Sequence, residues 1–320
     1  MRILLVPLAA FLLATFAPPS LYSDPPVPAQ PTIIVERLPL DPEHPARSRV
    51  GRLHYLGGWA LRSNDARFGG VSALHVAGER VAAVSDAGRV FSFALPEGAR
   101  AIPLNVTPVT CGTGDRKQDR DSESMAVAGG TAWLGFEGSN SICRYAAAGW
   151  RRLAQARPAA MRKWWGNIGA EAMIRLRDGR FLVFSEGRSR GAGTTEVLLF
   201  PRDPTVAAKD PVRLRYRPPA GYYITDAAEL ADGRLLFLNR RFVIWDGVSA
   251  KVTLSPRPPR LDATTILEGA EIADLRPPLT VDNMEGLSVV REGARTILWL
   301  ASDDNFNPLQ RNLLLKFALE

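Results

Sequence analysis

Histidine and cysteine are close to missing from this chain of 320 residues, which holds three of the first and two of the second. That shortage excludes several chemistries. His44 sits in a proline-rich loop, His54 in an early strand pattern and His75 inside a strand of the first repeat, so a histidine-rich metal site or a serine–histidine–acid triad lacks its parts. One literal G-x-S-x-G match exists, Gly187-Arg188-Ser189-Arg190-Gly191. A nucleophile elbow lies between a strand and a helix, whereas the AGTTEVLLF that follows here reads as a strand. Two cysteines cannot build a structural zinc site. No glycine-rich loop precedes a helical segment, so no nucleotide cofactor is expected. Clean 3.6-residue periodicity is also lacking; the best helical candidate, Leu153 to Trp165, is short, which argues against an α/β hydrolase.

The one long apolar run is at residues 1–17, MRILLVPLAAFLLATFA. Arg2 precedes it, and it is shorter than the ~20 residues of a spanning helix, so it reads as an export signal; the alternative is an uncleaved anchor, the only membrane attachment the sequence offers. No cysteine lies nearby to carry a lipid. We divide the chain into a signal peptide or anchor at 1–23, a proline-rich spacer at 24–31 and a folded domain at 32–320. Export implies a periplasmic or secreted protein, where Cys111 and Cys143 can form a disulfide; two reduced, buried thiols are the alternative. The formal charge of +7 comes from arginines spread along the chain. A nucleic-acid face would gather them with interleaved aromatics, so no nucleic-acid partner is expected, while small anionic substrates suit the charge.

What the chain has in quantity is glycine (27) and proline (25), as many short strands joined by turns require. A pattern of strand, tight glycine turn, strand, polar turn, strand recurs five times. The copies are FGGVSALHVAGERVAAVSDAGRVFSFAL, DSESMAVAGGTAWLGFEGSNSICRY, GAEAMIRLRDGRFLVFSEG, TDAAELADGRLLFLNRRFVIW and the stretch from Val281 to Phe317. They start at Ser72, Glu123, Glu171, Thr225 and Glu285, a spacing of roughly 50 to 60 residues that suits propeller blades. The expected fold is all-β, a single β-propeller of six blades. Residues 32–67 and the C-terminal strand RNLLLKFAL would complete the sixth blade, so that the chain ends close the ring and leave a monomer without open sheet edges. A β-sandwich is the alternative.

In a propeller each blade begins with its innermost strand, so Glu123, Glu171, Asp226 and Glu285 are expected at one mouth of the central channel. Asp86, Glu137, Glu186 and Asp303 follow the second strand and are expected as a second group, at the opposite rim if the hairpins are short. Converging carboxylates raise one another's pKa unless they are protonated, paired or metal-bound, and an oxygen-rich set of this kind suits calcium. The alternative is structural: acids accepting backbone N–H bonds or pairing with Arg240 and Arg241.

The segments GGVSAL (69–74), GAEAM (169–173), AAELADGRLLFLNRRF (227–242), DNMEGL (282–287) and SDDNFNPLQRNLLLKF (302–317) resemble the phytase-like family described for esterase-like activity, over roughly Arg52 to Phe317. The resemblance implies a secreted or periplasmic β-propeller like the calcium-dependent propeller phytases, hydrolysing esters or phosphoesters. Its motif positions include Glu171, Asp226, Asp282, Asn283, Glu285, Asp303, Asp304 and Asn305. The resemblance assigns these positions no catalytic roles; from the expected convergence of acids at the mouth, Glu171, Glu285 and Asp226 are candidates for catalysis, Glu123, Asp282, Asp303 and Asp304 for metal binding, and Asn283 and Asn305 for substrate binding. Arg240 and Arg241 join that last group, since guanidinium groups clasp phosphate. Two functions are compatible with this set: a calcium-using hydrolase of a small ester or phosphoester, or a non-catalytic propeller that binds a ligand or cell-envelope partner through acids that are structural.

Overall fold

The computed structural model describes residues 26–113, 116–164, 169–188, 193–206, 210–256 and 260–320. The N-terminal 25 residues, with the expected signal or anchor, and Ser189 of the G-x-S-x-G match lie outside the described residues. Among the described residues no helix is long and apolar enough to cross a membrane. The helical candidate Leu153–Trp165 is corrected: it holds a strand at Arg152–Ala156 and a 3-10 turn at Ala159–Lys163, with Pro158 between them.

The described strands begin with β1 (Thr32–Arg37), β2 (Arg49–Val50) and β3 (Leu53–Ser63); β3 pairs with both of the others and with the last strand of the chain. Blade 1 is β4 (Val71–Ala77), β5 (Arg80–Ser85), β6 (Arg89–Ala94) and β8 (Asn105–Pro108), while β7 (Ala101–Pro103) leaves to pair with β1. Blade 2 follows as β9 (Ser122–Ala128), β10 (Thr131–Phe136), β11 (Ser141–Ala146) and β12 (Arg152–Ala156). Blade 3 is β13 (Ala170–Arg175), β14 (Phe181–Arg188), β15 (Thr195–Phe200) and β16 (Val212–Arg217), with β20 (Ile266–Glu268) parallel on its outer edge. Blade 4 is β17 (Tyr223–Glu229), β18 (Leu235–Val243), β19 (Gly247–Ser255) and β21 (Ala270–Leu275). Blade 5 joins β22 (Asn283–Glu292), β23 (Arg295–Asp303) and β24 (Asn312–Leu319) to β3, then β1 and β7.

Among the described residues the sheets number five, and the expected sixth blade is corrected. The segments assigned to it are present, but RNLLLKFAL pairs antiparallel with β3, Asn312 opposite Leu61 through Leu319 opposite Leu53, inside the fifth blade. The reason is closure. The innermost strand β22 already packs against both β17 and β4, so no gap is left between the first and last copies. Hydrogen bonds cross every junction of the ring. Ser72 Oγ donates to the Ser122 carbonyl (2.6 Å), Ser124 Oγ to Ala170 (2.5 Å) and Thr225 Oγ1 to Met284 (3.1 Å). Arg177 N donates to Glu229 (2.7 Å), and Val76 N to Ser288 Oγ (2.9 Å).

Strand alternation explains the packing. Side chains along a strand point to opposite faces, and here both faces are buried, each against a different neighbour. In β23, Ile297 and Trp299 enter the core shared with blade 1, while Leu298 and Leu300 enter the core shared with blade 4. The five hydrophobic cores fill the five junctions in this way. Between β13 and β14, and between β17 and β18, the turns place Gly179 and Gly233 at φ of +89° and +85°, a region strained for other residues. Cys111 beyond β8 is bonded to Cys143 on β11, with Cα atoms 5.7 Å apart, fastening blade 1 to blade 2.

Candidate functional site

All five innermost strands share one irregularity. Their registers with the second strands shift between Val71 and Ala73, Ser122 and Ser124, Ala170 and Ala172, Ile224 and Asp226, and Met284 and Gly286. The extra residue of each bulge is Ser72, Glu123, Glu171, Thr225 or Glu285, the position at which each sequence repeat begins. A bulge leaves one residue out of the ladder and re-aims its side chain. Where that residue is Ser72 or Thr225, the hydroxyl bonds to the next blade's backbone. Where it is a glutamate, a carboxyl is placed at the channel mouth instead.

Just outside each bulge, the second strand supplies one more residue. Val71 pairs with Ser85, Ser122 with Phe136, Ala170 with Ser185, Ile224 with Asn239 and Met284 with Ser302, so the next residues are Asp86, Glu137, Glu186, Arg240 and Asp303. The expectation of an opposite rim is thereby corrected. An antiparallel hairpin returns its second strand to the level at which the first began, so both groups share one mouth. Asp86 N donates to the Gly70 carbonyl (3.0 Å) and Glu137 N to that of Asp121 (2.8 Å), holding these residues beside the bulges. Asp121, which the sequence reading overlooked, joins the set; it lies two residues ahead of Glu123.

The electrostatics follow from crowding. Burial pushes Glu123 well above the usual carboxyl range, and Glu171, Glu285, Asp86 and Asp121 push it further. Glu171 is raised by burial and by Glu186, Glu137 and Glu285; Asp303 is raised by burial, Glu285 and Asp86. Asp86 and Glu137 are each pushed up to about 7, by burial first and by neighbouring acids second. Cations stand among them too: an exposed Lys117 whose Nζ lies 3.9 Å from Asp121 and, more deeply placed, Arg240. Its Nη1 donates to Asn283 Oδ1 (2.9 Å), its Nε lies 3.4 Å from Glu285 and its Nη2 3.9 Å from Glu186. Burial opposes its charge, but Glu285, Glu171, Glu186 and Asp303 outweigh that. Asn283 Nδ2 also donates to Glu285 Oε1 (2.8 Å), fixing that carboxyl between amide and guanidinium. Among the described residues Glu137, Glu171 and Glu186 form a carboxylate grouping in which one oxygen of each lies within 4.8 Å of the others.

Other candidates lie elsewhere. Both oxygens of Asp226 accept backbone bonds, from Ala227 N (2.8 Å) and from Leu287 N of the next blade (2.7 Å). Asp282 is held by Asn283 N and by Arg311. Asp304 accepts from Gly70 N, Phe306 N and Asn312 Nδ2. These three acids fasten loops and blades. Arg241 turns to Asp246 (2.9 Å) and lies over the Tyr222 ring, away from the acids, and Asn305 Nδ2 donates to Gln310 in an exposed loop. Neither their motif membership nor their charge separates such residues from those lining the mouth; the strand register does.

Fold and site together define an all-β propeller whose axial mouth is lined by carboxyl groups from four blades around one arginine. Residues 66–306 match the family described as Phytase-like: Esterase-like activity of phytase, and the chain belongs to that family. No curated protein sequence matches it. Among solved structures it is similar to Myxococcus xanthus glutaminyl cyclase, at 12% identity over 85% of this chain and 100% of that one, with a TM-score of 0.46. The Malassezia sympodialis allergen Mala s 1 is 14% identical over 85% and 91% of the two chains, with a TM-score of 0.45. An α-L-arabinofuranosidase of Clostridium thermocellum is 10% identical over 72% and 82%, with a TM-score of 0.49.

Proposed function

We propose that this protein is an exported hydrolase of a small ester or phosphoester, working at the acid-lined mouth with a hard divalent cation such as calcium. The observation that carries the reading is the grouping of Glu137, Glu171 and Glu186, whose oxygens lie within 4.8 Å of one another among further acids that Arg240 does not balance. The donor set fits such an ion: it is all oxygen and supplied by carboxylates. Once bound, the cation would polarise the ester oxygen and make water more acidic.

The chain's own groups divide the remaining work. Glu285, kept in place by Asn283 and Arg240, takes the proton of the attacking water as its oxygen bonds to the ester centre. Glu123, whose carboxyl burial and acidic neighbours push well above the usual range, gives a proton to the departing alkoxide. Arg240 steadies the anionic oxygen of the substrate. The disulfide suits an oxidising compartment.

Hydrolysis of p-nitrophenyl phosphate and p-nitrophenyl acetate, assayed with calcium and with a chelator, tests the reading. Turnover should require calcium and should fall by about 100-fold or more in Glu285→Gln with circular dichroism unchanged. Thermal stabilisation by calcium without turnover of either ester would favour a ligand-binding propeller instead.

A further inference from the structure

Blade 4 differs from blades 1 and 2 at the mouth. In blades 1 and 2 the ladder between second and third strands ends at Ser85 opposite Arg89 and Phe136 opposite Ser141, so Asp86 and Glu137 already lie in the turns. In blade 4 the ladder continues past Arg240 by three further pairs, Arg241 with Ser249, Phe242 with Val248 and Val243 with Gly247. The extension and its turn carry the Arg241–Asp246 ion pair and three exposed apolar side chains: Phe242 is 57% exposed, Ile244 64% and Trp245 91%.

Register decides which of these face the site. Tyr223 stands directly opposite Arg240 across β17 and β18, so the two side chains share a face. Phe242 is two residues beyond Arg240 on an unbroken stretch of β18 and shares that face, about 7 Å along the strand. Tyr223 is 43% exposed. Two aromatic side chains therefore lie on the strand face that carries Arg240, whose guanidinium contacts Glu285 and Glu186.

We infer that Tyr223 and Phe242 form the subsite for an apolar, aromatic group of the substrate, so that the preferred substrate is an aryl monoester with one anionic end at Arg240. The inference rests on the hydrolase reading for its chemistry but on the extended hairpin for its specificity. Charge points the same way. A compact polyanion would bring several negative groups to a mouth already crowded with carboxyls, where Arg240 and the exposed Lys117 are already paired with acids, whereas an aryl monoester brings one and lays its ring on exposed aromatic surface. Stacking of rings adds to the burial of apolar area.

The test compares phenyl phosphate with glycerol 1-phosphate, in the presence of calcium, by turnover and separately by calorimetric binding. Wild-type protein should favour phenyl phosphate by roughly tenfold or more, the discrimination a hydrophobic subsite can supply. Phe242→Ser should remove most of that preference while leaving glycerol 1-phosphate within about twofold, and Ile34→Ser, an exposed change on the outer strand β1, should alter neither. Equal handling of the two by wild-type protein, or an equal loss for both in Phe242→Ser, would overturn the subsite and leave the hydrolase reading standing. Tighter binding of phenyl phosphate that Phe242→Ser abolishes, with no turnover of either, would support the subsite and reject the hydrolase. Binding of neither would overturn it.

Discussion

Two buried acids of similar appearance illustrate how little the residue type says. Asp226 and Glu285 are both buried carboxyls near the start of an innermost strand, yet Asp226 spends both oxygens on backbone N–H groups while Glu285 meets a guanidinium and an amide. Asp226→Asn would set an amide N–H against a backbone N–H, and it should cost about 1–3 kcal/mol of stability, read as a lower denaturant midpoint, with turnover per folded molecule preserved. Glu285→Gln should do the reverse. Protonation gives a second residue-scale prediction. Asp86 and Glu137 titrate at about 7 in the fold, above the ordinary carboxyl range they return to on unfolding. From roughly pH 4.5 upward the folded state therefore holds more of these two protons, and their contribution to stability falls as pH rises, levelling above about 7. Metal-free protein should melt several degrees higher at pH 5.5 than at pH 8, at about 2–4 °C per kcal/mol, and calcium should recover the difference at pH 8. A midpoint that rises with pH in the chelated protein would contradict this.

At the scale of the element, the recurring bulge is the unit of design. The same backbone feature holds a hydroxyl in blades 1 and 4 and a glutamate in blades 2, 3 and 5, so it either locks the ring or arms the mouth. Thr225→Val removes the bond to the Met284 carbonyl and should cost about 0.5–1.5 kcal/mol in denaturant unfolding without changing calcium affinity. Glycine next to the bulge serves close approach. A Cβ on Gly286 would lie 2.7 Å from Leu74 Cβ of blade 1, so Gly286→Ala should push β22 from β4 and lower stability by about 1–3 kcal/mol. These elements were legible in the sequence because turn glycines and apolar alternation are local. The bulges were not, since a shift of register exists only relative to a partner strand; their residues were nonetheless the ones that marked the repeats.

Over the whole molecule, ring closure and the Cys111–Cys143 bond act together. The disulfide joins neighbouring blades across 32 residues of sequence, and its reduction should cost about 2–4 kcal/mol, seen as a lower melting midpoint in reductant. Cys111→Ala with Cys143→Ala should show the same loss and no further response to reductant. Local sequence sufficed for the all-β class, the five copies, the segments that close the ring and the acids that recur, because strand period, turn residues and spacing are written along one chain. Blade number and the sharing of one mouth by both rows of acids were decided in three dimensions. So was the sorting of Asp226, Asp282 and Asp304 from Glu123, Glu171 and Glu285. Each depends on which strand lies beside which and on where a carboxyl finds an N–H or finds another carboxyl, and those are distances between segments that the linear order leaves open.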